Sequence, residues 1–368
     1  MNAAPDPAPG SVPDGGADAS EPLDVVAIGS PLVDVLVTVT DAELARTGLV
    51  KGSMELVDLR RAQALYDGVG PTVEVSGGSA ANTCAGVAAL GGSAGFVGKV
   101  ADDLLGHVFA HDIRSAGVEF VPLAASTGRA GFLGGSASGA LAEDQGTGRC
   151  LVLVTGDAER TMATHLGVAV SISPNDLPLE LVARGSLLYL EGYLWDLGPA
   201  KEAMRQAVGE AHRSDGTVAL SLSDPFCVER HRREFLDLLL NDVDVLFGNE
   251  EEIVALFGAR SLDAALDAAE ETGLLVAVTL GARGSVVVTE RGPIPVPAVG
   301  VGTVVDTTGA GDLFAAGFLY GLSHGAGPEQ CAELGSLCAS EVISHLGARP
   351  QQDLRTLAAQ AGLLRGLE

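Results

Sequence analysis

Lysine is nearly missing: Lys51, Lys99 and Lys201 are the only three in 368 residues. Lys+Arg totals 22 against 48 Asp+Glu, a formal net charge of −26. Such a chain lacks the basic face that phosphate backbones require, so a nucleic-acid partner is excluded. Docking on anionic membranes is excluded on the same ground. Aromatics make up 4% of the chain and hydrophobic residues 47%, so the core must be built from Ala, Val and Leu. The five cysteines (Cys84, Cys150, Cys227, Cys331, Cys338) are an odd number without a Cys-x-x-Cys, which speaks against a disulfide framework and for a reducing, cytoplasmic setting. No uninterrupted apolar run is long enough to span a bilayer. The N-terminus lacks a basic start with an apolar stretch, so no secretory signal is expected.

Residues 1–22 hold five of the 17 prolines and, beyond alanine, only Met1 and Val12 as apolar residues. Their composition predicts a disordered tail. From Leu23 onward short β-branched runs alternate with amphipathic stretches. Strands are expected at 24–29, 93–100, 186–193, 217–222, 242–248 and 274–281, with nearly continuous apolar runs. Helices are expected at 79–91, 103–116, 199–213, 229–240, 250–257 and 261–272, then 311–323, 328–345 and 351–365. The alternation predicts a doubly wound, mostly parallel α/β sheet flanked by helices. Segments 35–60 and 119–164, the second containing GFLGGSASGALAED, break the pattern and read as strands of a small separate sheet. The large unit is then 23–34, 61–118 and 165–368.

The stretch DTTGAGDLF (306–314) carries the most chemistry. Asp306 ends a predicted strand. Thr307, Thr308, Gly309, Ala310 and Gly311 lead into a helix near Asp312. Small residues allow close backbone approach, and free amides at a helix start form an anion hole. A carboxylate beside that anion is costly unless it takes a proton, as the attacking hydroxyl of a phosphoryl transfer requires. A plain glycine turn explains the stretch as well. A dinucleotide fingerprint is absent, since Leu313 and Phe314 follow where a third glycine belongs; the only Gly-Lys pair, Gly98-Lys99, is followed by Val100, so no Walker loop exists.

Other constellations support a ligand site, each with a structural alternative. Gly77 and Gly78 precede a helix carrying Asn82, which could meet a hydroxyl-rich ligand or belong to a capped helix start. Asp34 sits in an apolar run past a predicted strand, where it could accept sugar hydroxyls or cap a hinge. Asn249 and Glu252 read either as an N-cap with favourable acids or as organisers of magnesium-bound water. Thr279, Gly281 and Gly284 read as a nucleotide loop or a hairpin turn. Arg160 is a phosphate ligand or a solvated charge, and Tyr193 and Trp195 are ring-stacking candidates or core. His107 and His111 make no metal motif.

Together, GGSAANTCAGVAALGG (77–92), GKVADDLLG (98–106) and DTTGAGD (306–312) resemble the ribokinase and phosphofructokinase-B family of carbohydrate and nucleoside kinases. GSPLVDV (29–35), GDAERTM (156–162), LSDPFCV (222–228) and VDVLFGNEEE (243–252) are similar to its adenosine-kinase-like branch. The resemblance covers about residues 24 to 350. It implies a Rossmann-like domain with a small β lid, ATP and magnesium as cofactors, and a nucleoside or sugar as substrate. By resemblance Asp312 is the base, with Gly309, Ala310 and Gly311 as the anion hole and Arg160 on the transferred phosphate. Ser30, Asp34, Gly77, Gly78, Asn82 and Tyr193 hold the acceptor. Asn249, Thr279, Gly281, Gly284 and Thr307 serve the nucleotide, Asn249 and Glu252 the magnesium water, and Asp306 is a candidate ligand of a monovalent cation, potassium. Adenosine phosphorylation is the leading expectation. A kinase of inosine, guanosine or a free sugar, and a catalytically silent nucleoside sensor, are the alternatives. The protein is expected to be a monomer or homodimer. Two departures concern the base: Ser30 stands where the branch has Asn, and Tyr193-Leu194 where it has two aromatics.

Overall fold

A computed structural model of the chain describes residues 21–124, 146–157, 159–196 and 198–367. Most of the expected tail and the GFLGGSASGALAED segment lie outside the described residues. The large sheet has nine strands in the order Gly292–Val296, Ser285–Thr289, Leu275–Thr279, Val245–Asn249, Thr217–Ser221, Gly185–Glu191, Leu23–Ile28, Ala94–Val97, Val118–Phe120. From Leu275–Thr279 to Val118–Phe120 every neighbouring pair is parallel, and the last two strands form an antiparallel hairpin extension. The six predicted strands all appear, because an apolar run covered on both faces can be little else. The run 93–100 is split at Gly98 into Ala94–Val97 and Lys99–Val100.

Helices cover both faces. One core cluster contains Val25, Phe96, Leu313 and Phe318; the other contains Val26, Leu188, Trp195 and Phe235. Successive residues of 25–28 serve opposite clusters, Val25 and Ala27 the first and Val26 and Ile28 the second, as the two-residue period of a strand dictates. All five cysteines are free and buried. Burial pushes the thiols of Cys84, Cys150, Cys227, Cys331 and Cys338 up to about 12.

The second sheet has five strands in the order Met54–Leu56, Arg160–Gly167, Thr147–Val154, Leu32–Thr38, Val73–Gly77. It reaches further than the sequence-based bounds of 35–60 and 119–164. It starts at Leu32, ends at Gly167 and takes in Val73–Gly77, which had been placed in the large unit. The short run VEVSG has too few apolar residues to announce itself; antiparallel pairing with Leu32–Leu36 defines it. Among the described residues, no helix is long and apolar enough to cross a membrane.

Candidate active site

Winding direction fixes where a ligand can bind. From Leu23–Ile28 the chain steps to Ala94–Val97 and Val118–Phe120, then crosses back to Gly185–Glu191 and winds the other way. The order therefore reverses beside the first strand, and the crevice past the carboxyl ends is the expected site. A cavity of ≈ 640 Å³ lies there. Glu191, Ser221, Asn249 and Thr279, each the last residue of its strand, line it. The second sheet closes over it with Asp34 and Arg160.

Asp312 sits in the first turn of the helix Ala310–Ser323, whose N-cap Gly309 is left-handed at φ 78° and offers no side chain to the amides. A Cβ on Gly309 would run into Ala348 at 2.7 Å, so only glycine fits. The Ala310 amide donates to the Thr307 carbonyl at 3.3 Å. Ala310 is outside the cavity lining, whereas Gly309, Gly311 and Asp312 belong to it, and the amides of the first turn have no partner within the helix.

The Asp312 carboxylate turns toward the neighbouring helix Ser79–Ala89. Ser79 Oγ donates to Oδ1 at 2.7 Å and Asn82 Nδ2 to Oδ2 at 2.9 Å. Thr83 Oγ1 donates to the Asp312 carbonyl at 3.2 Å. Residues 79, 82, 83 and 86 form one helix face. Gly86 lets that face come close, since a Cβ there would lie 2.5 Å from that of Ala316. Burial raises the Asp312 pKa, against the Asn82 and Ser79 hydrogen bonds and the Arg349 charge. A raised carboxylate held by two donors and facing a cavity is suited to taking a proton.

Asp34 lines the cavity from the strand Leu32–Thr38. A Cβ on Gly77 would collide with its carboxylate, and one on Gly78, at φ 95°, with the Ser30 carbonyl. Burial lifts Asp34 to about 6, while Arg160 and Arg349 pull it down and Asp312 adds to the rise. Asn82 lies in the lining, yet its amide is engaged: Nδ2 serves Asp312, and Oδ1 accepts from Arg349 Nε at 2.8 Å.

Arg160 opens a second-sheet strand and pairs with buried Asp306 across to the anion loop. Burial lowers its pKa to about 10, and its Nε and Nη1 have no hydrogen-bond partner among the described residues. Asp306 also accepts from the amides of Thr308 at 2.9 Å and Gly347 at 2.8 Å. A guanidinium and two amides thus already meet the carboxylate that the sequence offers as a candidate ligand of a monovalent cation.

Asn249 is the N-cap of the helix Glu250–Phe257, and its side chain takes the Glu252 amide at 2.9 Å. Glu252 returns the bond, accepting from Asn249 N at 2.9 Å and Nδ2 at 2.8 Å. The capping alternative is thus realised, and both residues also face the cavity. Burial raises Glu252 to about 7 despite the Asn249 amide, with Asp224 and Glu251 adding to the rise. Among the described residues no cluster of three His, Cys, Asp or Glu could hold a metal directly. Both residues fit a magnesium ion only through its water shell.

Thr279 and Thr307 line the cavity, as do Ser30 and Tyr193. Gly281 and Gly284, at φ 59° and 90°, form the turn between antiparallel strands and are outside the lining. Trp195 takes the core alternative. With Leu194 it is buried in the core, its Nε1 donating to Glu234 at 3.0 Å and its ring against Phe235. The turn Gly192–Asp196 sends Tyr193 and Asp196 toward the cavity.

Two residues escaped the sequence reading. Glu191 is buried at the end of a central strand, accepting from Ala80 N at 3.1 Å and Ser30 N at 3.4 Å. Burial raises it to about 7. Its signal was an acid closing the apolar run SLLYLE. Arg349, in the C-terminal loop, gave no local signal.

With this geometry in place, the comparisons agree on the class. The family model described as "pfkB family carbohydrate kinase" matches residues 52–131 and 139–354, so the chain belongs to that family. It is therefore a kinase transferring phosphate to a hydroxyl acceptor. It is 29% identical over 345 residues to the adenosine kinase of Saccharomyces cerevisiae, covering 88% of this chain and 95% of the yeast protein. The crystal structure of adenosine kinase from Sinorhizobium meliloti superposes with a TM-score of 0.84 at 44% identity, covering 92% of this chain and 99% of that one. A probable sugar kinase from Rhizobium etli gives 0.85 at 41% identity over 93% and 99%.

Proposed function

We propose that the protein transfers the γ-phosphoryl group of ATP to the ribose 5′-hydroxyl of a nucleoside, with adenosine the preferred acceptor. The observation that carries this reading is one cavity that brings Asp34 from the second sheet together with Asp312 at an uncapped helix start; their pKa values are raised by burial, as are those of Glu191 and Glu252 in the same lining. Its ≈ 640 Å³ falls in the size range of pockets for drug-sized ligands. The likeness to adenosine kinases supports the choice of acceptor.

Asp34, backed by Gly77 and Gly78, accepts hydrogen bonds from the sugar diol and fixes the acceptor. Asp312 takes the 5′-hydroxyl proton on its carboxylate as the oxygen attacks the γ-phosphorus in line. First-turn amides at Gly311 and Asp312, with the positive helix end, stabilise the charge that develops on the phosphoryl oxygens. Arg160, whose Nε and Nη1 have no hydrogen-bond partner among the described residues, meets the same charge when the second sheet closes and excludes water. Magnesium, held through water by Asn249 and Glu252, would neutralise the polyphosphate. Ser30 and Tyr193 bound the base. With Leu194 in the core, one stacking ring is missing, which costs about 0.5–1.5 kcal/mol of discrimination. A second purine nucleoside should therefore be used within roughly 100-fold of the adenosine kcat/KM.

The test is a phosphorylation screen with ATP and magnesium over adenosine, inosine, guanosine, cytidine, ribose and fructose. Turnover of fructose with none of any nucleoside would overturn the nucleoside reading and favour a sugar kinase. Binding of nucleosides without turnover of any acceptor would favour a sensor.

A further inference from the structure

We propose that Arg349 is a positioning residue for the proton acceptor, acting on Asp312 through Asn82. The chain of contacts is short and continuous. Arg349 Nε donates to Asn82 Oδ1 at 2.8 Å, and Asn82 Nδ2 donates to Asp312 Oδ2 at 2.9 Å. A carboxamide has one acceptor end and one donor end. By occupying the Oδ1 end, the guanidinium fixes which way round the amide stands and so points Nδ2 at the carboxylate. A flipped Asn82 would aim its oxygen at Asp312 and repel it.

The same loop supports the site at three successive residues. Gly347 N donates to Asp306 Oδ2 at 2.8 Å, Ala348 packs under Gly309, and Arg349 reaches Asn82. The loop is itself tied down from behind by buried Glu341. Its Oε1 accepts from the amides of Gln351 at 3.0 Å and Gln352 at 2.9 Å and meets His345 Nε2 at 3.1 Å. A loop 267 residues from Asn82 in sequence thus holds the helix start and the carboxylate's partner together.

Arg349 also acts by charge. It lowers the pKa of both Asp312 and Asp34 while burial raises them. The other ionisable groups that couple to Asp312 are Asp34 from the second sheet, Tyr189 and Glu191 on the central strand, and Tyr193 in the turn after it. None is a cation. Arg349 supplies the positive charge acting on Asp312 there, and its Nη2 is buried without a hydrogen-bond partner among the described residues. The proton acceptor works as a carboxylate, so activity falls as pH drops through its pKa. Removing Arg349 raises that pKa, and the acid limb of the profile must move to higher pH.

This rests on Asp312 being the proton acceptor. The experiment is the pH dependence of kcat and kcat/KM, with adenosine and ATP, for Arg349→Gln, Arg349→Lys, Asn82→Ala, the Arg349→Gln/Asn82→Ala double variant and Asp312→Asn. Arg349→Gln should lower kcat roughly 10-fold or more with acceptor KM within about 3-fold, and shift the acid limb upward. Arg349→Lys should restore most of the limb position, since the charge remains. The double variant should lose little more kcat than the worse single one, because the two act in series. An unshifted limb for Arg349→Gln beside an inactive Asp312→Asn overturns the inference alone, as do fully additive losses. Turnover retained by Asp312→Asn overturns the proton-acceptor reading and this inference with it. If Arg349→Gln does not fold, Arg349→Lys decides: wild-type-like kcat and limb support the charge role, and a loss of kcat with the limb unmoved contradicts it.

Discussion

At Asn249 and at Gly309 the chain enters a helix whose third residue after the cap is an acid, Glu252 in one and Asp312 in the other. Both acids face the same cavity and burial raises both pKa values. At the first, Asn249 takes the Glu252 amide and Glu252 reaches back to Asn249, so the helix start satisfies itself. At the second, the cap is a glycine without a side chain, and Asp312 is held by Ser79 and Asn82 from a different helix. Its turn keeps amides for a ligand. A self-capped helix start is a structural joint; one whose cap is lost and whose acid is held from outside becomes a place for chemistry.

The comparison breaks most visibly if the two acids are exchanged in importance. Asp312→Asn should lower kcat by roughly 10²-fold or more, since an amide takes no proton. Steady-state kinetics of Asp312→Asn and Glu252→Gln, side by side, check it; a larger loss from Glu252→Gln would invert the assignment. Next in size is Gly309→Ala. A left-handed alanine whose Cβ meets Ala348 should cost about 1–3 kcal/mol of stability and raise the KM for ATP as the loop shifts. Urea unfolding and ATP titration read the two effects.

A smaller change is expected at the self-satisfied end. Asn249→Ala removes the cap and should cost about 0.5–2 kcal/mol, measured by urea unfolding; Asn249→Asp should recover most of it. The same helix start also bears on pH. Glu252 sits at about 7 when folded against an ordinary value of 4.5, so between those values the folded state holds a proton that the unfolded state has released. Stability from this group is therefore lost as pH rises from 4.5 toward 7. Glu252→Gln should flatten that part of the Tm-against-pH curve, and a curve parallel to the parent's would show that burial does not govern the group.

How far the site was legible follows from the range of each interaction. Strand ends and helix starts were readable because apolar runs and glycines are local signals, and they carried Asn249, Thr279, Gly309 and Asp312 to the cavity. The partner of Asp312 was readable only in part. Asn82 was expected on the ligand; it lines the cavity, and its Nδ2 also serves Asp312 while its Oδ1 accepts from Arg349, contacts 230 and 267 residues apart in sequence. Glu191 could be noticed only as an acid closing an apolar strand. Its role depends on Ala80 and Ser30 arriving from elsewhere. For Tyr193 and Trp195 the sequence leaves stacking and core both open, because an aromatic near a site motif gives no sign of direction; a single short turn puts Tyr193 in the cavity and Trp195 in the core. The second sheet's strand Val73–Gly77 was missed because its identity lies in its pairing.

The measurement that bears most directly on Asp312 separates binding from chemistry. Adenosine affinity and single-turnover rate are read on the same preparation of Asp312→Asn and the parent. The expected result is an affinity within about 3-fold of the parent beside a single-turnover rate lower by roughly 10²-fold or more. An unchanged single-turnover rate, or a rate loss explained wholly by lost adenosine affinity, would contradict the account.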